Sequence, residues 1–483
     1  MMVTLKKLGI SLWLLFAFYS VLSYLIFLRD DFLLERISFL TEAPWVLTAG
    51  RRWAKILHVN SLPTPLFFIS VTAMFIVYGK ALQLLRKRGS NTRNAKKTII
   101  RFAVLFMMTT LFSFPALSTD VFDYIASNRV LFVHHANPWL EAPQNFPQDE
   151  FIYLGSWKSR ASVYGPVQFL FSSLVHVFAQ NNLIANIIGF KLTGALFAIA
   201  LILLMKKWLE KFAPDNLLYG LTVFAWNPLI YIEIIGNAHN DIIMAFFTFL
   251  GFYWLTRRKS VSAAVGLSLA VLSKVAAALF VPIMAFWLLG RKRKRQTVVF
   301  VSLFALFTAM GILTLGEGSV GFVKNLGFQL GLYLRSLPTI LRYAFLKVGF
   351  PESKALIAEK FLTIPLFAAL FVMTTSKIKR IGLPAGMVIV MLGYLMLVSP
   401  MLQPWYLVWV LPFVALLSPG RLQTTALVFS FSSLMHYTVL FTSYYFSPLH
   451  FAWQIVMFMV IVLPPLAVWL TPKSWYTQFR RQR

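Results

Sequence analysis

Residues 62–116 read LPTPLFFISVTAMFIVYG (62–79), KALQLLRKRGSNTRNAKKTIIR (80–101) and FAVLFMMTTLFSFPA (102–116). A helix needs about 20 mostly apolar residues to cross a bilayer, and the runs at 62–79 and 98–116 approach that length. Between them, from Lys80 to Arg101, lie eight basic residues and no acid. Because Lys and Arg accumulate in the cytoplasmic loops of membrane proteins, this stretch predicts two membrane helices joined on the cytoplasmic side.

The composition of the whole chain supports the same prediction. Of its 483 residues, 59% are hydrophobic and 13% are charged, whereas a soluble domain is about 45–50% apolar and about 25% charged. The 45 basic and 16 acidic residues give a net charge of +29, but so little polar surface excludes a soluble nucleic-acid binder. The lack of cysteine excludes a disulfide scaffold and a thiolate nucleophile. The sequence therefore predicts an all-α polytopic membrane protein.

Apolar runs recur along the chain, and we expect about 12–14 membrane helices in a single membrane domain covering residues 1–483. The simple runs lie at about 9–28, 62–79, 98–116, 217–235, 241–256, 297–315, 357–375, 383–399, 405–418, 423–441 and 451–471. The first run resembles a signal peptide, but no small-residue cleavage site follows it. We therefore expect it to be retained as a membrane helix.

Two segments depart from this simple pattern. Segment 261–290 has basic residues at both ends, so we expect two short helices that meet near Lys274 and Pro282. The runs 163–179 and 184–205 should provide one net crossing. One of them is expected to be re-entrant or interfacial, and the sequence leaves open which one.

The distribution of charge orients the chain. Basic runs, which mark cytoplasmic loops, also lie at 257–259, 291–295, 377–380 and 473–483. The loops that then fall on the outer face are 117–163, 236–241, 316–356, 400–404 and 442–450. Both termini are expected in the cytoplasm. The loop 117–163 after the third span is expected to be re-entrant or amphipathic and to carry the chemistry, and 316–356 is expected to be a second re-entrant loop.

Five of the 16 acids lie in the outer loop 117–163. If a helix begins at Asp120, then Asp120, Asp123 and Tyr124 are spaced i, i+3, i+4 and share one face, which Asn128 continues. Acids near or within the membrane are usually functional, so this stripe is a candidate base-bearing site. The alternative is a helix N-terminus whose acids complement the helix dipole.

A second polar group interrupts two apolar runs at 236–241, where Asn237, His239, Asn240 and Asp241 lie close together. Such side chains can hydrogen-bond sugar hydroxyls or a phosphate. The alternative is a polar turn in which Asp241 caps the next helix. His239 and Asp241 alone supply two ligands, so a divalent metal is poorly supported.

A third group consists of Gln403, Trp405 and Tyr406. Trp and Tyr are enriched at membrane–water interfaces in any case, so Gln403 is the less easily explained residue of the three.

Several cations fall on the outer side against the topology rule. In loop 316–356 they are Lys324, Arg335, Arg342 and Lys347, and Lys274 lies within the segment 261–290. Two interpretations stay open for them. They can bind a phosphate, for which Arg is the better geometric match, or they can snorkel to the membrane surface.

Five motifs together resemble those of the GT-C superfamily of integral-membrane glycosyltransferases. They are Ser118-Thr119-Asp120-Val121-Phe122-Asp123-Tyr124, Asn137-Pro138-Trp139, Ser162-Val163-Tyr164-Gly165-Pro166, Asn227-Pro228 followed by Gly236 to Asp241, and Gln403-Pro404-Trp405-Tyr406. Among GT-C enzymes, the chain is most similar to the bacterial polyprenol-phosphate-mannose-dependent α-1,6-mannosyltransferases, over roughly residues 98 to 420.

This resemblance implies transfer of a hexose, with mannose expected, from a polyprenyl-phosphate donor to a glycan or glycolipid hydroxyl at the outer face of the bacterial cytoplasmic membrane. It implies inversion at the anomeric carbon, with Asp120 as the base, Asp123 as runner-up or helper, and no required metal or other cofactor. The candidate substrate-binding residues are Tyr124, Asn128, Arg129, Asn137, Tyr164, Asn237, His239, Asn240, Asp241, Gln403, Trp405 and Tyr406. The candidates for the donor phosphate are Arg335, Arg342 and Lys274.

Two other functions stay open. A transporter or flippase of lipid-linked sugars is also polytopic and basic, but transporters tend to carry mid-span acids and inverted repeats. Here the acids gather on one face and no repeat is visible, which favours an enzyme. The second alternative is a GT-C enzyme that uses another sugar or acceptor, which the sequence does not separate from the first choice.

Overall fold

The computed structural model describes residues 1–57, 62–87, 93–329, 331–443 and 451–471. Within these ranges the chain forms helices and no β-strand, and an isolated bridge pairs Leu334 with Met401. The predicted outer loop 442–450 lies outside the described residues except for its first two positions. The predicted basic run 473–483 lies wholly outside them.

The described residues form a series of α-helices, and a longer segment separates α6 from α7. The first ten α-helices are α1 (Met2–Phe27), α2 (Asp31–Leu40), α3 (Pro44–Ile56), α4 (Pro63–Lys87), α5 (Arg93–Leu111), α6 (Asp120–Phe132), α7 (Pro166–Ala179), α8 (Leu183–Phe212), α9 (Leu217–Ala225) and α10 (Asp241–Thr256). The others are α11 (Ser260–Ser273), α12 (Phe280–Gly290), α13 (Lys294–Leu313), α14 (Gly318–Gln329), α15 (Leu337–Lys347), α16 (Glu352–Ser376), α17 (Ile378–Ile381), α18 (Leu383–Leu397), α19 (Leu411–Val414), α20 (Arg421–Ser443) and α21 (Phe451–Leu470). Short 3-10 helices lie at Pro143–Asn145, Glu150–Leu154, Pro214–Asn216, Val275–Leu279 and Pro404–Trp409, and a π-helix lies at Ile230–Gly236.

Membrane-spanning length is reached by seven helices among the described residues: α1, α4, α8, α13, α16, α20 and α21. The bent pair of α9 and the π-helix adds an eighth if it counts as one span. These helices confirm the prediction of an all-α polytopic membrane protein. The expected 12–14 spans exceed this number because several apolar runs fold into shorter helices. One is α7, whose 14 residues cover about 21 Å of a hydrocarbon layer about 30 Å thick.

Prolines break two of the predicted spans. The run 217–235 is not one straight helix, because Pro228 lacks a backbone N–H and the chain bends by 52° between α9 and the π-helix. The predicted span at 405–418 is wrong. There the chain forms the 3-10 helix Pro404–Trp409 and the single turn α19, and these residues are buried inside the protein. Their apolar character serves the protein core rather than the lipid.

The segment 261–290 forms two short helices, as predicted. The first, α11, ends at Ser273, Lys274 follows in an extended conformation, and a 3-10 turn leads into α12. The break therefore lies at Lys274, whereas Pro282 lies inside α12 near its first turn, where proline is tolerated.

Packing at one end of the helices gathers the predicted outer loops. The π-helix packs against α5, α8 and the 3-10 helix Pro404–Trp409, and α10 packs against that same 3-10 helix. Asn237, which follows the π-helix, accepts a hydrogen bond from the N–H of Leu117 at 3.0 Å. The loops 117–163, 236–241 and 400–404 therefore meet at one place.

Gly165 is fitted tightly against α11. A Cβ at this position would lie 2.0 Å from the carbonyl oxygen of Leu272, which is backbone and cannot rotate away. We expect Gly165→Ala to destabilise the protein by about 1–3 kcal/mol, the usual cost of overpacking, and to lower the melting temperature in detergent. Gly79→Ala in α4 is the matched control, because nothing lies within 4 Å of its added Cβ. Equal melting temperatures for the two variants would contradict the close approach.

Candidate active site

A cavity of about 450 Å³ lies where the predicted outer loops meet, a volume within the range of about 300–1,000 Å³ that is typical of small-molecule sites. Its walls come from the start of α6, the segment 157–164, the break after α11, the helix α14 and the segment 401–406. The predicted site residues that line it are Asp120, Asp123, Tyr164, Lys274, Gln403, Trp405 and Tyr406.

The first turn of α6 carries two of these carboxylates. The side chain of Asp120 is 15% exposed, and its backbone N–H donates to Ser118 Oγ at 3.2 Å. Asp123 Oδ1 accepts a hydrogen bond from the N–H of Trp157 at 2.8 Å, and its Oδ2 has no hydrogen-bond partner among the described residues. A Cβ on Gly155 would lie 2.2 Å from Asp123 Oδ1, so only glycine leaves room for this carboxylate.

His239 lies behind Asp120 and does not line the cavity. Its Nδ1 is 3.4 Å from Asp120 Oδ2, and its Nε2 is 3.4 Å from Glu233 Oε2. The imidazole also stacks on Trp405, with ring centroids 3.7 Å apart. The preceding residue, Ala238, has φ +60°, a conformation that non-glycine residues seldom adopt. This strained turn places the imidazole between the carboxylates of Asp120 and Glu233.

The surroundings separate the pKa values of the two aspartates. Burial opposes ionisation of Asp120, but its contact with His239 and the charge of Lys274 lower its pKa below the ordinary value. Burial, followed by the Asp120 charge, raises the pKa of Asp123 well above its ordinary value. Burial alone would lower the pKa of His239, but the contacts with Asp120 and Glu233 raise it to about 9. At neutral pH, Asp120 is therefore ionised beside a protonated His239, while Asp123 resists ionisation.

A second ion pair lies at the break after α11. Lys274 Nζ is 2.7 Å from Asp241 Oδ1, with Asp241 fully buried and the Lys274 side chain 18% exposed. Trp409 Nε1 donates to the same carboxylate oxygen at 2.5 Å, and Lys274 Nζ lies 5.3 Å from the centroid of the Tyr406 ring. The pair fixes Lys274 at the cavity wall.

Arg160 and Lys324 bring two further cations to the cavity. The guanidinium carbon of Arg160 lies 4.1 Å from the centroid of the Phe328 ring, and its Nη1 is buried with no hydrogen-bond partner among the described residues. Arg160 is not among the site residues predicted from the sequence. Its position two residues before Ser162, where one of the motifs begins, could have indicated that it lies near the site.

Arg335 and Arg342 are not among the residues that line the cavity. Arg342 pairs with Glu352 at the start of α16 and lies 4.3 Å from the ring centroid of Tyr333. The backbone N–H of Arg335 donates to Gln454 Oε1 at 3.1 Å. The loop 316–356 folds into α14, α15 and the start of α16, and α14 is the helix that reaches the cavity. The phosphate role of the two arginines stays a prediction.

Asn128 and Arg129 also lie outside the cavity wall. Asn128 Nδ2 donates to the carbonyl of Ser172 at 2.7 Å, and Ser172 Oγ donates back to Asn128 Oδ1 at 2.9 Å. Arg129 Nε donates to Asp149 Oδ2 at 2.6 Å, and both side chains are buried. These contacts hold α6 in place rather than leaving the groups available to a substrate.

The remaining predicted substrate-binding residues that do not line the cavity are Tyr124, Asn137, Asn237 and Asn240. Tyr124 packs edge-on against Tyr164, with ring centroids 5.2 Å apart. Asn237 is occupied with the hydrogen bonds that anchor its turn, including one from Nδ2 to the carbonyl of Ile232 at 2.8 Å. Tyr124 therefore supports a residue of the cavity wall, and Asn237 holds its own turn.

Among the described residues, no group of three or more His, Asp or Glu side chains is arranged to hold a metal ion. Metal independence of the reaction stays a prediction.

Similarity to known proteins was found over most of the chain. Residues 38–290 match the family described as alpha-(1->6)-mannopyranosyltransferase, N-terminal domain. The chain is 24% identical over 399 residues to alpha-(1->6)-mannopyranosyltransferase A of Mycobacterium tuberculosis, covering 76% of this chain and 74% of that protein. It is 20% identical over 200 residues to alpha-(1->6)-mannopyranosyltransferase A of Corynebacterium glutamicum, covering 41% of this chain and 40% of that protein.

Proposed function

This chain belongs to the alpha-(1->6)-mannopyranosyltransferase family, and from that premise we propose that it transfers mannose from a polyprenyl-phosphate donor to a glycan or glycolipid hydroxyl. A donor with a polyprenyl tail does not leave the bilayer, so the reaction takes place at the membrane. We place it at the outer face of the bacterial cytoplasmic membrane, because the basic runs of the sequence mark the opposite loops as cytoplasmic. One observation carries the proposal: a single cavity holds an ionised carboxylate, Asp120, together with the cations Lys274, Arg160 and Lys324.

The carboxylate suits the acceptor half of the reaction. The acceptor hydroxyl attacks C1 of the mannosyl group, and Asp120 accepts its proton. The bond between C1 and the phosphate oxygen breaks, the phosphate leaves with the bonding electrons, and the configuration at C1 inverts in this single displacement. A base of low pKa acts late, since the hydroxyl becomes acidic as its bond to C1 forms. Asp123, whose pKa is raised, is suited to donate a hydrogen bond rather than to compete as the base.

The cations suit the donor half. The donor phosphodiester carries one negative charge, and the released polyprenyl phosphate gains another. Lys274, Arg160 and Lys324 stabilise this charge as it develops, which lowers the barrier more than it strengthens donor binding. The sugar is expected to contact the remaining wall, formed by Tyr164, Gln403, Trp405 and Tyr406.

Turnover by the purified protein tests the proposal. In lipid nanodiscs with radiolabelled polyprenyl phosphate mannose and an α-1,6-linked mannose oligosaccharide, we expect the acceptor to gain mannose and polyprenyl phosphate to be released in equal amount. The product should have the anomeric configuration opposite to that of the donor. Movement of the donor across vesicles without release of polyprenyl phosphate would instead identify a flippase. Use of another lipid-linked sugar, with the mannosyl donor untouched, would identify a different GT-C enzyme.

Orientation in the membrane can be tested because the chain has no cysteine. We expect Gln148→Cys, an exposed position of loop 117–163, to react in intact cells with a membrane-impermeant maleimide. Lys259→Cys, exposed in a predicted cytoplasmic turn, should react only after permeabilisation. The opposite pattern would place the cavity on the cytoplasmic side and overturn the proposed location of the reaction.

A further inference from the structure

Asp120, His239 and Glu233 form a row that runs inward from the cavity. The two contacts in the row are 3.4 Å each, and the side chains of His239 and Glu233 are both 0% exposed. Of the three, Asp120 is the residue that lines the cavity, and the ring of Trp405 covers the imidazole. His239 and Glu233 therefore do not touch a ligand held in the cavity, which leaves a role that acts through Asp120.

The backbone fixes the inner two members relative to each other. Glu233 lies in the π-helix, a form of helix often found at functional sites, and the N–H of His239 donates to the Glu233 carbonyl at 3.2 Å. Asn237 ties this turn to Leu117, three residues before Asp120. The imidazole and both carboxylates are thus held by two hydrogen bonds of this turn, one between backbone groups and one from a backbone N–H to the Asn237 side chain.

The charges of the three side chains indicate what the row does. A carboxylate buried without a cation is costly, and the imidazole is the basic group that contacts Glu233. From α20, Tyr437 OH donates to Glu233 Oε2 at 3.3 Å, which is a neutral contact. Lys274 acts on Asp120 from the cavity side. Glu233 therefore favours the protonated imidazole, and the imidazolium in turn favours the ionised form of Asp120.

We propose that Glu233 and His239 are positioning residues that keep the Asp120 carboxylate charged and oriented for proton abstraction. This inference deepens the proposed function and rests on it. It reassigns His239 from contact with the substrate to support of the base, and it gives a role to Glu233, which does not line the cavity.

Glu233→Gln tests this role because it removes the charge and keeps the size. We expect kcat at pH 8 to fall by about 10- to 100-fold, less than the full contribution of about 10²- to 10⁴-fold from a general base, with KM for the donor unchanged. Without the second carboxylate, the pKa of His239 falls from about 9, because burial lowers it and Asp120 alone is left to oppose burial. The loss of kcat with rising pH, expected near pH 9 in the wild type, should therefore move to lower pH in the variant.

Glu359→Gln is the matched control. Glu359 is also a buried carboxylate that accepts hydrogen bonds from a tyrosine and a threonine hydroxyl, but it lies in α16, away from the row. It should leave the pH profile in place. If the wild type turns over and Glu233→Gln keeps the wild-type profile, this inference fails alone. A wild type without mannosyl transfer defeats the proposed function instead.

A direct measurement covers the case in which Glu233→Gln does not fold. In wild-type protein with ¹⁵N-labelled histidine, the imidazole signal that His239→Asn removes should report a protonated ring through pH 8. A neutral ring at pH 7 would overturn the inference.

Discussion

Asp120→Asn is expected to lower kcat for mannosyl transfer by about 10²- to 10⁴-fold, the usual contribution of a positioned general base. The asparagine fills the same volume but has no basic oxygen for the acceptor proton. The variant should still fold, because the backbone N–H of residue 120 keeps its contact with Ser118 Oγ. Single-turnover transfer of radiolabelled mannose, measured beside size-exclusion elution and melting temperature, separates chemistry from folding.

Two matched variants sharpen this result. Glu141→Gln neutralises an acid of the same loop outside the cavity wall and should retain full turnover. Asp123→Asn resembles the protonated acid that burial favours, so a loss of less than about tenfold is expected, well below that of a general base. If Asp123→Asn abolishes transfer while Asp120→Asn keeps it, the two roles are reversed.

The class of fold follows from the sequence because crossing a bilayer imposes a length and a polarity that few other folds require. The run 405–418 shows where this inference fails. Its residues are as apolar as those of a span, yet they fold as a 3-10 helix and a single turn inside the protein. Hydropathy alone does not distinguish a side chain that faces lipid from one that faces other helices. Pro404, just before the run, and Pro412, within it, were the local signal of irregular backbone.

The sequence also predicts part of the candidate site. The order of the motifs predicted that Asp120, Tyr164 and Gln403 belong to one site. All three line the cavity. Helical spacing placed Asn128 on the same face as Asp120, but it could not show that Ser172 occupies that amide. Whether a side chain such as Asn128 is buried and already hydrogen-bonded depends on contacts with segments far away in the sequence. Helical spacing within one segment carries no information about such contacts. For the same reason the cations of loop 316–356 could not be sorted into those near the cavity and those paired elsewhere.

Lys274→Met is expected to affect both stability and catalysis. The substitution removes the cation that pairs with the buried carboxylate of Asp241. Among the described residues, the Trp409 N–H is then the group that still contacts this carboxylate. Loss of one partner of a buried pair costs about 3–5 kcal/mol, and the partial exposure of Lys274 places the expected loss near the lower end, about 3 kcal/mol. The melting temperature in detergent should fall accordingly. Transfer should fall as well, because the donor phosphate loses the cation fixed at the break after α11.

The double variant Lys274→Met/Asp241→Asn separates these two effects. Its uncharged amide can still accept the hydrogen bond from Trp409 Nε1 and leaves no unpaired charge in the interior, so most of the lost stability should return. Turnover should stay low, since no cation is restored at the cavity wall. If turnover returns together with stability, Lys274 serves only to neutralise Asp241, and stabilisation of the leaving phosphate rests on Arg160 and Lys324. If Lys274→Met alone is as stable as the wild type, the Asp241 carboxylate is better solvated than its burial implies.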